Sequence, residues 1–441
     1  MRRTTHVRRR VLGSRVLGAL AVLGLLAPLL TACGGEESGG PTTLTFYSSN
    51  PNQVPIVEKC AVESGGRYTL DVQALPNTAS GAREQLLRRL AAEDRGMDIL
   101  SIDPPFMAEF ANAGFLRPFT DAERRHFSYD VLAGPLEQGI FEDKMYSAPA
   151  NGNTQLLWYR KSVLKKAGID PSAGPVTWDQ LITAAEKAGV TFAAQGRRNE
   201  SLMVWVNALV ESAGGTILSP DSEGKPADEV TSGLDSDAGR QAARIMRKLA
   251  DSPAAYPGFS TGGEENSRAA FQAADGGFMV NWPYIWAAAQ TAVADGSLAE
   301  SFLDDVGWTR YPRVLADRES APPSGGLGLS ISAFSRHQDL AVDVIRCVLS
   351  PTNQKAYMFT AGDPAVIGSI FDDPEVRERF PMADAIREGM ADAGPRPVTP
   401  YYGDVTAAVQ SGFHPPDEVT ESSAKETGDL LEAVLSNERL I

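Results

Sequence analysis

The segment DGGFMVNWPYIW, residues 275–286, shows most directly how this sequence of 441 residues folds. Its apolar run at 278–280 is short and bounded by turn-forming residues, which is typical of a buried β-strand. Pro283 ends that strand because it has no N–H for the hydrogen-bond ladder, and it suits the first turn of a helix over 284–294. The segment therefore predicts a strand that leads directly into a helix.

Three aromatic residues crowd this predicted corner, namely Trp282, Tyr284 and Trp286. In open α/β sheets, ligands bind at the carboxyl ends of the strands. An indole and a phenol beside Asn281 suit a ligand with flat apolar faces and a rim of hydroxyl groups, as a sugar ring has. The alternative is that all three aromatic side chains belong to the core, and the segment alone does not decide between the two.

Residues 1–33 have the features of a bacterial targeting segment. Six arginines accompany an apolar run at 16–30, which is short for a membrane span. The residues that follow, Leu30-Thr31-Ala32-Cys33, resemble a lipobox, in which Cys33 would carry the lipid and become the first residue of the mature chain. Residues 34–41 would then form a flexible tether. A plain secretory signal is the alternative.

The charge of the chain restricts the classes of ligand that we expect. The sequence has 41 basic and 56 acidic residues, a net charge of −15. Removal of residues 1–33 would take six arginines with it and leave 35 basic against 56 acidic residues, a net charge of −21. Proteins that bind nucleic acid need a basic footprint, so we expect no nucleic-acid partner. The acidity argues more weakly against an anionic substrate.

The sequence contains three cysteines. If Cys33 carries a lipid, Cys60 and Cys347 remain in an oxidising compartment. We therefore predict that these two cysteines form one disulfide between helices that lie far apart in the chain.

The chain alternates between strand and helix patterns, which predicts an α/β fold. Strands predicted at 44–48, 67–75 and 97–102 alternate with helices at 54–64, 82–93 and 106–114. Such a run implies a mostly parallel, doubly wound sheet. We predict a turn at 151–153 and then strands at 154–160, 190–194, 306–311 and 324–331. The tail at 375–435 is mostly helical and is interrupted at 395–402.

Common enzyme motifs are missing from the sequence, which has no GxSxG, HExxH, GxxxxGK[ST] or CxxC. The three histidines beyond residue 33 lie in polar, loop-like surroundings, so we predict neither a His-based triad nor a metal site. These are His126, His337 and His414. Glycoside hydrolysis needs only two carboxylates. Asp103 could supply one and Glu264 or Glu265 the other, so a secreted glycoside hydrolase is the alternative from a different class.

A group of polar and aromatic residues lies at the predicted strand ends and turns. The group consists of Asp103, Asn153, Glu264, Glu265, Trp282, Tyr284 and Arg396. Their carboxylate, amide and guanidinium groups can pair with adjacent hydroxyls, and their aromatic faces can cover the C–H surface of a sugar. Each residue alone is explained equally well as a helix cap or a surface residue. Their joint placement favours a saccharide-binding cleft.

Several stretches resemble those of extracellular solute-binding proteins of carbohydrate ABC importers, in the maltose/trehalose group. The resemblance is greatest to the trehalose-binding lipoproteins of actinobacterial trehalose-recycling importers. The matching stretches are QLLRRLAAEDRGMDILSID, AEFANAGF, NTQLLWYR, residues 204–215, residues 264–283, GGLGL and RPVTPYY. In this order they span nearly the whole chain after residue 33, and Cys60 and Cys347 lie where those lipoproteins have a cysteine pair.

The resemblance implies a two-lobed periplasmic-binding-protein fold of type II with the ligand cleft between the lobes. One lobe would comprise 42–152 with 320–370, and the other 153–319 with 371–441. Sugar contacts carry over onto Asp103, Asn153, Trp282, Tyr284, Gly326 and Arg396, and less directly onto Asn50, Arg83 and one of Glu264 and Glu265.

The function implied by the resemblance is capture of a disaccharide by hinge closure and its delivery to ABC permease subunits. Trehalose is the first expectation. Maltose and sucrose are alternatives because their pockets use the same residue types. We expect a monomer without enzymatic activity, cofactor or metal, lipid-anchored to the outer face of the cell membrane.

Overall fold

The computed structural model describes residues 40–441. The predictions for residues 1–33, including Cys33, and for the tether up to residue 39 lie outside the described residues. Within 40–441, none of the helices combines the length and the apolar character that crossing a membrane requires.

The described residues form strands and helices that alternate along the chain, as the sequence pattern predicts. The strands are β1 Thr42–Ser48, β2 Tyr68–Ala74, β3 Ile99–Ile102, β4 Leu116–Arg117, β5 Ile140–Phe141, β6 Lys144–Met145, β7 Ala148–Thr154, β8 Leu156–Arg160, β9 Thr191–Ala193, β10 Gly276–Asn281, β11 Val306–Thr309 and β12 Ser324–Ser332. The helices are α1 Val54–Glu63, α2 Ala79–Ala91, α3 Met107–Asn112, α4 Asp121–Phe127, α5 Ala133–Glu137, α6 Leu164–Ala167, α7 Trp178–Ala188, α8 Glu200–Ser212, α9 Asp237–Asp251, α10 Glu264–Gln272, α11 Tyr284–Ala294, α12 Ser301–Asp305, α13 Gln338–Val348, α14 Pro351–Ala361, α15 Pro374–Arg379, α16 Ala383–Ala391, α17 Tyr402–Gly412 and α18 Glu421–Leu435.

Local chemistry explains where α7 begins and ends. The hydroxyl of Thr177 accepts a hydrogen bond from the N–H of Gln180 at 3.2 Å, and the Gln180 side chain accepts one from the N–H of Thr177 at 2.8 Å. This reciprocal pair satisfies two of the N–H groups that a helix start leaves free. At the other end, Gly189 takes the left-handed conformation, with φ 65°, and closes the helix.

The first sheet has the strand order β2-β1-β3-β12-β4, and β7 also pairs with β12. β1, β2 and β3 are parallel, as their alternation with helices predicts. β12 is antiparallel to β3, β4 and β7, so the prediction of a mostly parallel sheet is wrong beyond the first three strands. β12 enters the sheet from a distant part of the chain, and a local pattern carries no information about its direction.

The second sheet has the order β11-β8-β10-β9, in which β10 is antiparallel to β8 and parallel to β9. All six residues of β10 are buried, as the apolar run in 275–286 predicts. The Trp158 indole N–H donates to the carbonyl of Asn281 at 2.9 Å and fixes the end of β10. This sheet is mixed and mostly antiparallel.

The turn predicted at 151–153 is wrong, because these residues belong to β7. Asn153 pairs with Gly325 and Gly152 with Gly326 in β12. Asn and Gly favour turns locally, but glycine here lets two buried backbones approach each other. Gly326 has φ +125°, and a β-carbon on it would collide with the carbonyl oxygen of Asn151.

The chain crosses from the first sheet to the second at Gln155, between β7 and β8, and it returns between β11 and β12. α17 packs on α8, and α18 packs on α9, so the C-terminal helices belong with the second sheet. The lobe boundaries, 42–152 with 320–370 and 153–319 with 371–441, remain our proposal.

The predicted disulfide between Cys60 and Cys347 is formed, and it joins α1 to α13. Cys60 is fully buried in the apolar core beneath the first sheet. The bridge therefore holds together two helices that are 287 residues apart in sequence.

Candidate functional site

A cavity of about 270 Å³ lies where residues from both sheets and their helices meet. Asp103, which follows β3, and Trp282, which follows β10, both line it. Among residues 40–441, the lining is formed by Asn77, Thr78, Ala79, Ser80, Asp103, Asn153, Asn199, Glu200, Ser201, Val204, Glu264, Trp282, Gly325, Gly326 and Arg396. Six residues of the predicted site are in this set, namely Asp103, Asn153, Glu264, Trp282, Gly326 and Arg396.

A buried guanidinium links two carboxylates at this cavity. Arg396 lies in the segment between α16 and α17, and only 5% of its side chain is exposed. Its Nη2 donates to Oδ1 of Asp103 at 2.7 Å, and its Nη1 donates to Oε1 of Glu200 at 2.7 Å. Pro104 and Pro105 end β3 directly after Asp103, which fixes this carboxylate at the strand terminus.

Glu200 is held on both of its carboxylate oxygens. The hydroxyl of Tyr402 donates to Oε1, and the hydroxyl of Thr406 donates to Oε2 at 2.8 Å. The ring of Tyr402 also meets the edge of Phe106 with 5.0 Å between centroids. The first turns of α17 therefore position Glu200, which in turn positions Arg396.

Burial and ion pairing shift the pKa values of Asp103 and Arg396. Burial raises the pKa of Asp103, and the charge of Arg396 opposes that shift. Burial acts to lower the pKa of Arg396, but the charges of Asp103 and Glu200 outweigh it and hold that pKa well above its ordinary value. The guanidinium therefore keeps its proton, and it has a carboxylate on either side.

Glu264 is the first residue of α10 and contributes a carboxylate to the cavity lining. Its Oε2 accepts a hydrogen bond from the hydroxyl of Ser201 at 2.7 Å. Its backbone carbonyl accepts one from the Asn281 side chain at 3.0 Å, which ties the start of α10 to the end of β10. Within residues 40–441, Oε1 of Glu264 has no hydrogen-bond partner.

The aromatic residues at the end of β10 divide between cavity and core. Trp282 is half-buried and lines the cavity, with its ring edge against Gly325. A β-carbon at Gly325 would lie 2.9 Å from Cη2 of Trp282, so glycine makes room for the indole. Trp286, by contrast, is 8% exposed, packs on Trp308, and donates its indole N–H to the carbonyl of Arg379 at 2.9 Å.

Tyr284 and Glu265 lie outside the cavity lining. The Tyr284 hydroxyl donates to Oε1 of Glu265 at 2.6 Å, and Arg268 donates to Oε2 of the same carboxylate at 2.6 Å. Burial, followed by the bond to Glu265, raises the pKa of Tyr284. Of the two adjacent glutamates, the structure thus brings Glu264 to the cavity and commits Glu265 to its own neighbours.

Arg83 and Asn50 also lie outside the lining, each with partners of its own. Arg83 forms a bidentate ion pair with Glu109. The Asn50 side chain donates to the hydroxyl of Tyr357 at 2.7 Å and to Oδ2 of Asp363 at 3.1 Å. The structure does not bring these two predicted residues together with the other six.

Glu200 is the most important lining residue that sequence reasoning missed. Asn199 caps α8, accepting from the N–H of Ser201 at 3.1 Å, so Glu200 is the first residue of the helix. A glutamate in the first turn of a helix is ordinarily explained by the helix dipole. Its burial, at 9% exposure, and its bond to Arg396 follow only from the tertiary fold.

Comparison with known proteins identifies the family. Residues 69–355 match the profile of the family described as bacterial extracellular solute-binding protein. The chain belongs to this family. The solute-binding protein is 27% identical over 288 residues to a probable ABC transporter-binding protein of Deinococcus radiodurans. That match covers 62% of this chain and 64%, or less than two thirds, of the relative.

Solved structures confirm the fold class of this solute-binding protein. Maltose-bound MalE3 of T. maritima superimposes with a TM-score of 0.76 at 24% identity, over 90% of this chain and 100% of that one. The GacH receptor of Streptomyces glaucescens, solved unliganded and in complex with acarbose, gives 0.71 at 22% identity, over 91% and 100%. The chain thus has the two-lobed, mixed α/β periplasmic-binding-protein fold that we predicted.

Proposed function

We propose that this protein captures a saccharide in the cavity between its two sheets and delivers it to the permease subunits of an ABC importer. The observation that carries the proposal is the cavity of about 270 Å³, where Asp103, Asn153 and Glu264 stand beside the indole of Trp282. Hydrogen-bonding groups around one aromatic face match the hydroxyl rim and the C–H surface of a sugar ring.

The free hydrogen-bonding capacity of the lining supports a polyhydroxyl ligand. Among the residues that the structure describes, Oε1 of Glu264 has no donor, and the side-chain oxygen of Asn153 accepts from the N–H of Thr154 alone, at 3.1 Å. A hydroxyl bound to a charged acceptor contributes about 1.5–3 kcal/mol. A ligand with several adjacent hydroxyls would use these groups together.

The placement of the site supports capture by closure. Asp103 follows a strand of the first sheet, whereas Glu264 and Trp282 adjoin a strand of the second. A ligand that touches all three stabilises the arrangement in which the two sheets stand close together, as in hinge closure around a ligand. Recognition of the closed form by the permease would then couple capture to delivery.

Among saccharides we propose a disaccharide, with trehalose as the first candidate and maltose and sucrose as alternatives. The sequence resemblance to trehalose-binding lipoproteins supports trehalose, and the solved relatives include one described as maltose-bound. We further propose that the protein is a monomer held outside the cell membrane by a lipid on Cys33.

We propose that the protein has no enzymatic activity. A glycoside hydrolase would need one carboxylic acid that donates a proton to the leaving group. Arg396 donates to both oxygens of Asp103, at 2.7 and 3.4 Å, and its charge opposes the upward shift that burial gives the pKa of Asp103. The described function of the relatives, binding, agrees with this proposal.

A thermal-shift screen of the purified protein against trehalose, maltose, sucrose and a set of monosaccharides tests the function. A ligand at a hundredfold excess over its Kd should stabilise the fold by about 2.7 kcal/mol. Release of monosaccharide from any disaccharide would support the hydrolase instead. Absence of stabilisation by every saccharide would contradict the proposal.

A further inference from the structure

The ionisable residues of the cavity lining are strongly unbalanced in charge. Within the described part of the chain, three carboxylates line it, those of Asp103, Glu200 and Glu264, against a single cation, Arg396. Of the described residues, neither lysine nor histidine contributes to the lining. A ligand in this cavity therefore meets an excess of negative charge.

The one cation is already engaged. Nη2 of Arg396 donates to Asp103, Nη1 donates to Glu200 at 2.7 Å and to Asp103 at 3.4 Å, and Nε is buried with no partner among the described residues. Glu200 in turn is held by Tyr402 and Thr406. An anionic ligand would have to displace one of these carboxylates to reach the guanidinium, and it would then face the repulsion of the others.

A cationic ligand, by contrast, would find a carboxylate oxygen that it can bind directly. One carboxylate oxygen of Glu264 accepts a hydrogen bond from the hydroxyl of Ser201, and the other has no hydrogen-bond partner within residues 40–441. An ammonium group there would form a charge-assisted hydrogen bond, which is roughly twice as strong as a neutral one. The excess carboxylates would compensate the loss of water around the ammonium. Glu265, the adjacent acid, is engaged by Arg268 and lies outside the lining.

We propose that the cavity selects saccharides by charge. It prefers a sugar that carries a protonated amine to the neutral parent, and it rejects phosphorylated sugars and uronic acids. Glu264 is the specificity-determining residue for the amine. This inference rests on the proposed saccharide-binding function and adds a substrate class to it.

Titration calorimetry on the full-length protein with two matched series tests the inference. One series is trehalose with its 2-amino-2-deoxy and 6-phosphate derivatives, and the other is maltose with the same derivatives, at mildly acidic pH where the amine is protonated. In whichever series binds, we expect the amine to bind about tenfold more tightly than the neutral parent and the phosphate about a hundredfold more weakly. Added salt should weaken binding of the amine and leave the neutral sugar nearly unaffected.

Two variants assign the preference to one side chain. In Glu264→Gln the ratio of amine to neutral affinity should fall to about one, whatever the absolute affinities become. Glu265→Gln removes the same charge one residue along the chain and should keep the wild-type ratio. A preserved ratio in Glu264→Gln, or a phosphate that binds as well as its parent, would overturn the inference while leaving saccharide binding intact. If no member of either series binds, the proposed function and this inference fail together.

Discussion

Arg396 and Asp103 form an ion pair between the segment that precedes α17 and the end of β3, with Nη2 and Oδ1 2.7 Å apart. The same guanidinium donates to Glu200 in α8, beside the second sheet. One buried cation thus connects the carboxyl end of the first sheet to a helix of the second. A buried charge without a partner is costly. Removal of Arg396 or of Asp103 should therefore destabilise the lining on both sides of the cavity.

Asp103→Asn tests the contribution of this carboxylate to ligand binding. Loss of a charged acceptor should weaken saccharide binding by ~2–3 kcal/mol, or about 30- to 150-fold in Kd. The fold should persist because Glu200 still pairs with Arg396. Calorimetry gives the affinity and the melting temperature without ligand gives the stability. An unchanged Kd would remove Asp103 from the site.

Trp282→Ala and Trp286→Ala form a matched pair that separates binding from folding. Trp282 is half-buried in the cavity lining, so its loss should weaken sugar binding by ~2–3 kcal/mol with a small change in melting temperature. Trp286 is 8% exposed and belongs to the core, so its truncation should lower the free energy of unfolding by ~3–5 kcal/mol. The reverse pattern, with Trp282→Ala unstable and its affinity intact, would place Trp282 in the core.

Glu211 predicts a pH dependence of stability. Burial raises the pKa of this carboxyl, on the last turn of α8, to about 7. Because the folded-state pKa lies above the ordinary value, the folded protein binds the extra proton, and stability should fall as the pH rises from about 4.5 to about 7. At about 1.4 kcal/mol per pKa unit, the loss amounts to about 3 kcal/mol.

Glu211→Gln should remove that loss because the amide does not ionise. Urea unfolding between mildly acidic and mildly basic pH measures it, and the variant should gain stability relative to wild type only at the higher pH values. Equal gains at every pH would show that the effect is one of packing and not of ionisation.

Sequence reasoning named six of the fifteen residues that line the cavity, and it found Asp103 and Trp282 because they follow recognisable strand ends. Asp103 comes directly after β3 and is followed by two prolines. Trp282 comes directly after β10 and is followed by Pro283. It did not find Glu200, since the partner that gives this residue its role, Arg396, lies 196 positions away. The direction of β12 could not be predicted either, because an apolar run has the same sequence pattern in a parallel and in an antiparallel pair of strands.

The residues that prediction placed at the site but that lie outside the lining have a common property. Each of the four has a polar partner close by in the fold: Glu109 for Arg83, Arg268 for Glu265, Glu265 for Tyr284 and Asp363 for Asn50. A side chain able to make two hydrogen bonds suits a ligand and a neighbouring residue equally well. Only the three-dimensional arrangement shows which of the two it meets.

Cys33→Ala tests the proposed lipid anchor. If Cys33 carries the lipid, the variant should lose label from a radioactive fatty acid and should be released or remain unprocessed. The Cys60→Ser variant is a suitable control, since it also removes a cysteine but leaves residues 30–33 intact. Undiminished labelling of Cys33→Ala would contradict the lipobox interpretation.

The disulfide between Cys60 and Cys347 closes a loop of 287 residues and joins α1 to α13, so its loss should be felt in global stability. Cys60→Ser should lower the free energy of unfolding by ~2–5 kcal/mol, the range for native bridges. The double variant with Cys347→Ser controls for the thiol that the single variant leaves unpaired, and it should be destabilised to a similar extent. Thiol counting on the unfolded, unreduced protein examines the bridge itself. We expect no reactive thiol when Cys33 is lipidated and one when it is not, whereas two or more would mean that Cys60 and Cys347 are not joined.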